Sequence, residues 1–202
     1  MKSVVSSRYN WNSSNSLTNP SVESTACNTI VYASYFPDRM TSDENEAYGI
    51  PENGKYSVFD IANWFLHKQD MTHKKLQKLC YYAQAWCYAL KGYKLINADF
   101  QAWVHGPVCP VLYERFKGFG YETIALKTKS AQHTHIDNDD LKLLEDVWDT
   151  YGEKSGNALE ALSHREIPWI EARRGYSVTE KCTVVISPES MKKYYRSVFS
   201  GD

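Results

Sequence analysis

The chain is short of several things, and each shortage narrows what it can be. No apolar run approaches the roughly 18 residues that suggest a helical membrane span. Neither sign of charge dominates: 23 Lys and Arg face 24 Asp and Glu, a formal net charge of −1. Bulk electrostatics therefore gives no reason to expect nucleic acid or an anionic membrane as a partner. The five cysteines, Cys27, Cys80, Cys87, Cys109 and Cys182, are odd in number and never form a CxxC. That argues against a disulfide framework and suits a reducing cytosol. The N-terminus lacks a basic segment followed by an apolar stretch, so no secretory signal is read and a cytoplasmic protein is expected. The phosphate-cradling and serine-nucleophile patterns GxxxxGK[ST], GxGxxG and GxSxG are missing. No cofactor is expected.

Order is also lacking at the start. Of the first 30 residues, 16 are Ser, Thr or Asn, with no period of 2 or 3.6. Such a segment cannot bury enough apolar surface to offset its ordering entropy. Ile30 to Phe36 is compatible with a short strand, ended by Pro37-Asp38. Residues 1–54 carry three basic and six acidic residues and read as a flexible extension closing at Pro51-Glu52-Asn53-Gly54. The folded unit is expected over residues 55–202.

What is present is mostly helical. Ser57 is a plausible N-cap for a helix with Val58, Ile61, Ala62 and Phe65 on one side. Thr72 caps the strongest helix, which runs to Leu90 with Gly92 as its stop. Leu76, Leu79, Cys80, Ala83, Trp86, Cys87 and Leu90 make one apolar face, and from Tyr81 onward the other faces are apolar too, except at Gln84. A helix apolar all round is a buried one. Leu112, Phe116 and Phe119 suit a helix ended by Gly118 or Gly120, and Lys127–Asp137 reads as a polar loop. Asp139–Tyr151, a helix capped by Ser155, a short helix around Pro168 and one starting at Ser187-Pro188-Glu189 follow, with an extended segment at Cys182–Ile186. The expected fold is mainly α, a compact helical domain around a buried central helix, with at most a small β element.

One hexapeptide stands apart: Trp103-Val104-His105-Gly106-Pro107-Val108. An apolar run from Phe100 stops at Gly-Pro, which demands a sharp turn between a strand and the next helix. His105 sits at that turn beside Cys109, inviting a cysteine–histidine nucleophile with Asp99 or Glu114 as third group. The plainer reading is a histidine that stiffens the turn. His73, Lys74, Lys75 and Lys78 crowd the start of the central helix, where cations oppose the dipole. They suit either a solvated helix end or a receptor for an acidic loop or anion. Metal binding through His73, Cys80, His105, Cys109 and His164 matches no known ligand spacing. A second dense block holds Ser163, His164, Glu166, Pro168, Trp169 and Arg173, where Arg173 can pair with Glu166 and Trp169 can anchor a helical corner.

Together, Tyr56-Ser57-Val58-Phe59-Asp60-Ile61-Ala62, Leu76-Gln77-Lys78-Leu79, Tyr81-Tyr82-Ala83-Gln84-Ala85-Trp86, Ala102 to Val108 and the Ser163 to Arg173 block resemble the Panacea domain of SocA-like, GepA-type phage-associated proteins. The resemblance spans about Tyr56 to Phe199. Cys109 departs from it, standing where the family usually has another residue. The resemblance implies a non-enzymatic antitoxin that neutralises a cognate toxin by direct binding. In the SocA-like branch it further implies delivery of that toxin to a ClpXP-type protease. The alternatives are a small hydrolase using Cys109 with His105, and a prophage-encoded scaffold.

Overall fold

The computed structural model describes residues 54–126 and 136–201. The expected extension, apart from Gly54, lies outside the described residues, as do residues 127–135 of the expected polar loop. In chain order the elements are α1 (Val58–Lys68), β1 (Met71–Thr72), α2 (His73–Leu90), β2 (Gln101–Trp103), β3 (Gly106–Val108), α3 (Pro110–Phe116), β4 (Thr123–Ile124), α4 (Asn138–Tyr151), α5 (Gly156–Ser163), α6 (Ile167–Ala172) and α7 (Pro188–Ser200). The fold is mainly α, with two small two-stranded sheets.

The central helix is where the periodicity placed it. Thr72 Oγ1 accepts from Lys75 N and Gly92, at φ +79°, follows the last turn, so both ends of α2 are closed by side chain or glycine. Every residue from Leu76 to Cys87 is buried. Helices α1, α4, α5 and α7 pack around it. Helix α7 brings Met191, Tyr195 and Val198 against it, and α4 brings Leu143, Leu144, Val147 and Tyr151. The Ser57, Ser155 and Ser187 caps form as expected, each hydroxyl accepting from a backbone N–H of the first turn.

Two local expectations need correction, and a third, the extended Cys182–Ile186 segment, holds. The Gly-Pro pair is not the turn. Val104-His105 link β2 to β3, and Gly106-Pro107 already belong to β3, paired as Trp103↔Gly106 and Ala102↔Pro107. Pro107 is tolerated there because Ala102↔Pro107 is a non-hydrogen-bonded pair, where a proline lacks no ladder bond. On its other side Ala102 N donates to Val184 O and Ala102 O accepts from Arg173 Nη1, while Pro107 O accepts from Lys78 Nζ. The next helix starts at Pro110, with proline in its first turn, and it continues as a 3₁₀ turn over Lys117–Phe119 before Gly120 at φ +53°. Phe119 ends up 42% exposed rather than in the core. The Cys182–Ile186 segment is extended and flanks β2, with Ala102 N donating to Val184 O at 2.9 Å and Ile186 N to Phe100 O at 2.8 Å.

Candidate functional site

The site grows out of the polar residues on an otherwise apolar helix. Burying a polar group favours finding it a partner, and on α2 Gln77, Lys78 and Gln84 each bond backbone of the segments that follow the helix. Gln84 Oε1 accepts from Ile96 N at 2.7 Å. Gln77 grips Cys109 at both ends, its Oε1 accepting from Cys109 N at 2.8 Å and its Nε2 donating to Cys109 O at 3.2 Å. Lys78 is 1% exposed and its ammonium donates to His105 O at 2.6 Å and Pro107 O at 3.0 Å. The hexapeptide is therefore pinned from below by Lys78, and the Cys109 that follows it by Gln77.

This pinning explains Gly106. Its φ is +90°, and a Cβ there would meet Lys78 Nζ and Ser163 Oγ, each at 2.8 Å. Only glycine combines that backbone angle with so close an approach. Burial pulls the Lys78 ammonium down to about 7; Lys74 adds to this and Glu160 offsets part.

Above the corner lies a groove of about 310 Å³ lined by Lys74, His105, Asn157, Glu160, Ala161 and His164. Glu160 organises it. Its Oε2 accepts from Lys74 Nζ at 2.6 Å and its Oε1 lies 2.9 Å from His105 Nδ1. Burial works against its ionisation, and the Lys74 and His105 bonds overcome it, holding the carboxyl below its ordinary value. His164 stacks on Trp169 with ring centroids 4.1 Å apart, and its Nε2 is buried without a hydrogen bond. Burial lowers the His164 pKa; Glu160 opposes the shift, and Lys78, Arg173 and His105 add to it. Trp169 Nε1 donates to Trp103 O at 3.0 Å, tying the second block to the hairpin.

The structure thus brings Lys74, Lys78, Trp103, His105, Gly106, Pro107, His164 and Trp169 into one corner. His73 and Lys75 lie off it. The His73 ring sits edge-on to Tyr113, with burial lowering its pKa, and Lys75 donates to Gly152 O and Gln69 Oε1. The lysines of α2 are neither a solvated end nor an open receptor, because Lys74 and Lys78 are committed to internal partners.

Two proposed pairings do not form. Arg173 and Glu166 are both buried but face different partners. Arg173 lies over Trp169 and donates to the carbonyls of Ala102, Ser177, Val178 and Glu180, because those four carbonyls converge on its fork. Glu166 instead accepts from Tyr195 OH at 2.8 Å and Tyr82 OH at 3.3 Å. The cysteine–histidine dyad fails as well. Cys109 is fully buried, burial raises its thiol pKa, and His105 turns to Glu160. A thiol held protonated is a poor nucleophile. Among the described residues, no group of three or more His, Cys, Asp or Glu is arranged to hold a metal.

Asn157, Glu160 and Tyr195 escaped the sequence reading, and Gln77 and Tyr82 entered it only as motif residues without a role. Gln77 left at most a weak signal, a polar residue between Leu76 and Lys78 in the polar first turns of α2. Asn157 and Glu160 left none, since nothing local in α5 indicates what it faces.

Comparison with known proteins bears on the same residues. Residues 76–170 match the family model described as Antitoxin SocA-like, Panacea domain. That stretch runs from the start of the buried face of α2 into α6 and contains the corner apart from Lys74. A protein of Caulobacter vibrioides named Antitoxin SocA is 35% identical over 124 residues, covering 54% of this chain and 66% of that protein. The aligned part is thus just under two thirds of that relative's length. No solved structure matches the chain.

Proposed function

Because this chain carries a domain of the SocA-like Panacea family, we propose that it is an antitoxin that neutralises a cognate toxin by direct protein–protein binding. The binding unit is residues 55–202, working in the cytoplasm. The observation that carries the reading is what the motif residues do. Gln77, Lys78, Gly106, Trp169 and Arg173 are engaged in fixing backbone around a rigid corner, the arrangement of a binding scaffold. The antitoxin name of the Caulobacter vibrioides relative supports the same reading. No helix of the described residues is long and apolar enough to cross a membrane, which fits a partner met in solution.

Co-expression with the product of the neighbouring gene tests this. That product is expected to arrest growth alone, to be harmless with this chain, and to co-purify with it. A product harmless alone that forms no complex overturns the reading. The finer proposal, delivery to a ClpXP-type protease, predicts a shorter toxin half-life only when both the chain and the unfoldase are present. Neutralisation with an unchanged half-life leaves blocking and removes the adaptor role.

A further inference from the structure

The exposed apolar side chains are unevenly distributed. Of the nine large ones recorded among the described residues, six fall between positions 167 and 185: Ile167, Ile170, Tyr176, Val178, Val184 and Val185. Val178 is 81% exposed. A concentration of this kind marks an interaction surface more often than chance exposure does.

The pieces that carry these residues are laced together. Arg173, at the end of α6, donates to the carbonyls of Ser177, Val178 and Glu180, and through Nη1 to Ala102 O on β2. Ser177 N donates to Glu180 Oε2 at 3.0 Å, closing the loop on itself. Cys182 Sγ lies 3.8 Å from Ala172 O, and Thr183–Ile186 runs along β2. A buried arginine thus holds a loop rigid while its apolar tip faces water. Burying Val178 inward would stabilise the chain more, whereas a pre-ordered apolar tip lowers the entropy lost on binding.

The third piece is a sheet edge. Gln101 and Val185 form an antiparallel bridge, flanked by the Ala102 N to Val184 O and Ile186 N to Phe100 O bonds. In that register the N–H and C=O of Val185 point away from β2, toward the outside of the sheet. An outward-facing strand beside exposed valines is a template for an added strand.

Charge selects the partner. The two acids of this face, Glu171 and Glu180, are held by Ser190 Oγ and Ser177 N and keep their charge, but exposed cations outnumber them three to two. Arg165, Arg174 and Lys181 stand exposed around it. We infer that the face built by α6, the 174–180 loop and the Thr183–Ile186 edge docks an extended segment of the toxin, apolar at alternate positions and acidic at its flanks, added as a strand beside Val185.

This rests on the antitoxin reading, and the test separates the two. Val178→Asp with Val184→Asp, and independently Arg174→Glu with Lys181→Glu, are titrated by calorimetry against the purified product of the neighbouring gene. All four side chains are exposed, so folding is expected to survive, with unchanged circular dichroism and melting temperature. Lys142→Glu, on the exposed side of α4, serves as the control. Each double variant is expected to weaken binding by roughly tenfold or more, with the control within about twofold of the parent. Parent-like affinity in either double variant overturns the inference while leaving the antitoxin reading intact. Absence of binding by the parent chain overturns both. A concentration-dependent dimer of the chain alone, lost in the valine pair, would assign the face to a second copy and overturn the inference.

Discussion

Asp140 and Glu166 are both buried, 0% and 2% exposed, yet their carboxyl pKa values move in opposite directions. Burial raises the pKa of either carboxyl, so the difference lies in the partners. Asp140 receives Lys55 Nζ at 2.6 Å, Lys91 Nζ at 2.9 Å, Tyr56 OH at 2.8 Å and the Tyr93 hydroxyl. Hydrogen bonds from Lys55, Lys91 and Tyr93 outweigh burial and hold the carboxyl down at about 2. Glu166 receives only tyrosine hydroxyls. Burial dominates there, Tyr195 and Tyr82 offset part of it, and the carboxyl rises to about 7. Two nearby cations decide between an ionised and a protonated acid. Lys78 is the mirror of Glu166, a buried cation with carbonyl partners, likewise moved to about 7.

The difference sets the largest expected effect. Asp140→Ala removes the buried carboxylate that Lys55 and Lys91 share, leaving Lys55 to Asp137 and Lys91 to Asp139 O, with Tyr56 and Tyr93 facing a void. Breaking a buried pair from one side costs roughly 3–5 kcal/mol, and because Lys55 is partly exposed the low end, about 3 kcal/mol, is expected here. Urea unfolding reads it directly. A loss below about 1 kcal/mol would show that the ion cluster is dispensable and dissolve the contrast with Glu166. The cluster also ties Lys55 and Tyr56 to α4, so it anchors the first described turn of the chain to the core.

The Lys78 corner comes second. Gly106→Val places a β-branched side chain at φ +90° and drives its Cβ toward the Lys78 ammonium and the Ser163 hydroxyl. Both atoms end flexible side chains, but Lys78 is buried and held by two carbonyls, so it has little room to retreat. About 2 kcal/mol of destabilisation is expected. Equal melting temperatures for variant and parent would mean that the hairpin is not rigidly pinned.

Legibility from sequence follows the range of the interaction. Helix α2, its Thr72 cap and its Gly92 stop were readable because apolar period and capping are local. The hairpin was half readable. Gly-Pro signalled an unusual backbone, but only the Ala102↔Pro107 register shows it as strand rather than turn. The pairings were not readable. Glu166 and Arg173 are seven positions apart with opposite charge, which invited an ion pair. Arg173 is claimed instead by the carbonyls of Ala102 and the 177–180 loop, and Glu166 by Tyr82 and Tyr195. Those partners come from elements 29 to 84 residues away from Glu166, and no local pattern encodes them.

The smallest effect is also the most discriminating. Below about pH 7, Glu166 in the folded chain holds a proton that an unfolded carboxyl, with its ordinary pKa of 4.5, has already released. Between about 4.5 and 7 the folded state therefore binds more protons, and this group's contribution to stability falls as pH rises. Glu166→Gln keeps the shape and removes the titration. At pH 5, where the parent acid is protonated, the variant should lie within about 1 kcal/mol of the parent, the value of one neutral hydrogen bond. Raising the pH to 7 should then move the parent down relative to the variant. His164 titrates in the same window in the opposite sense but is present in both proteins, so it cancels in the difference. Lys78 acts between about 7 and its ordinary 10.5, outside the window. A variant-minus-parent stability that stays flat from pH 5 to 7 would place Glu166 with Asp140 as an ionised group, and the neutral tyrosine hydroxyls would then be sufficient to hold a buried charge.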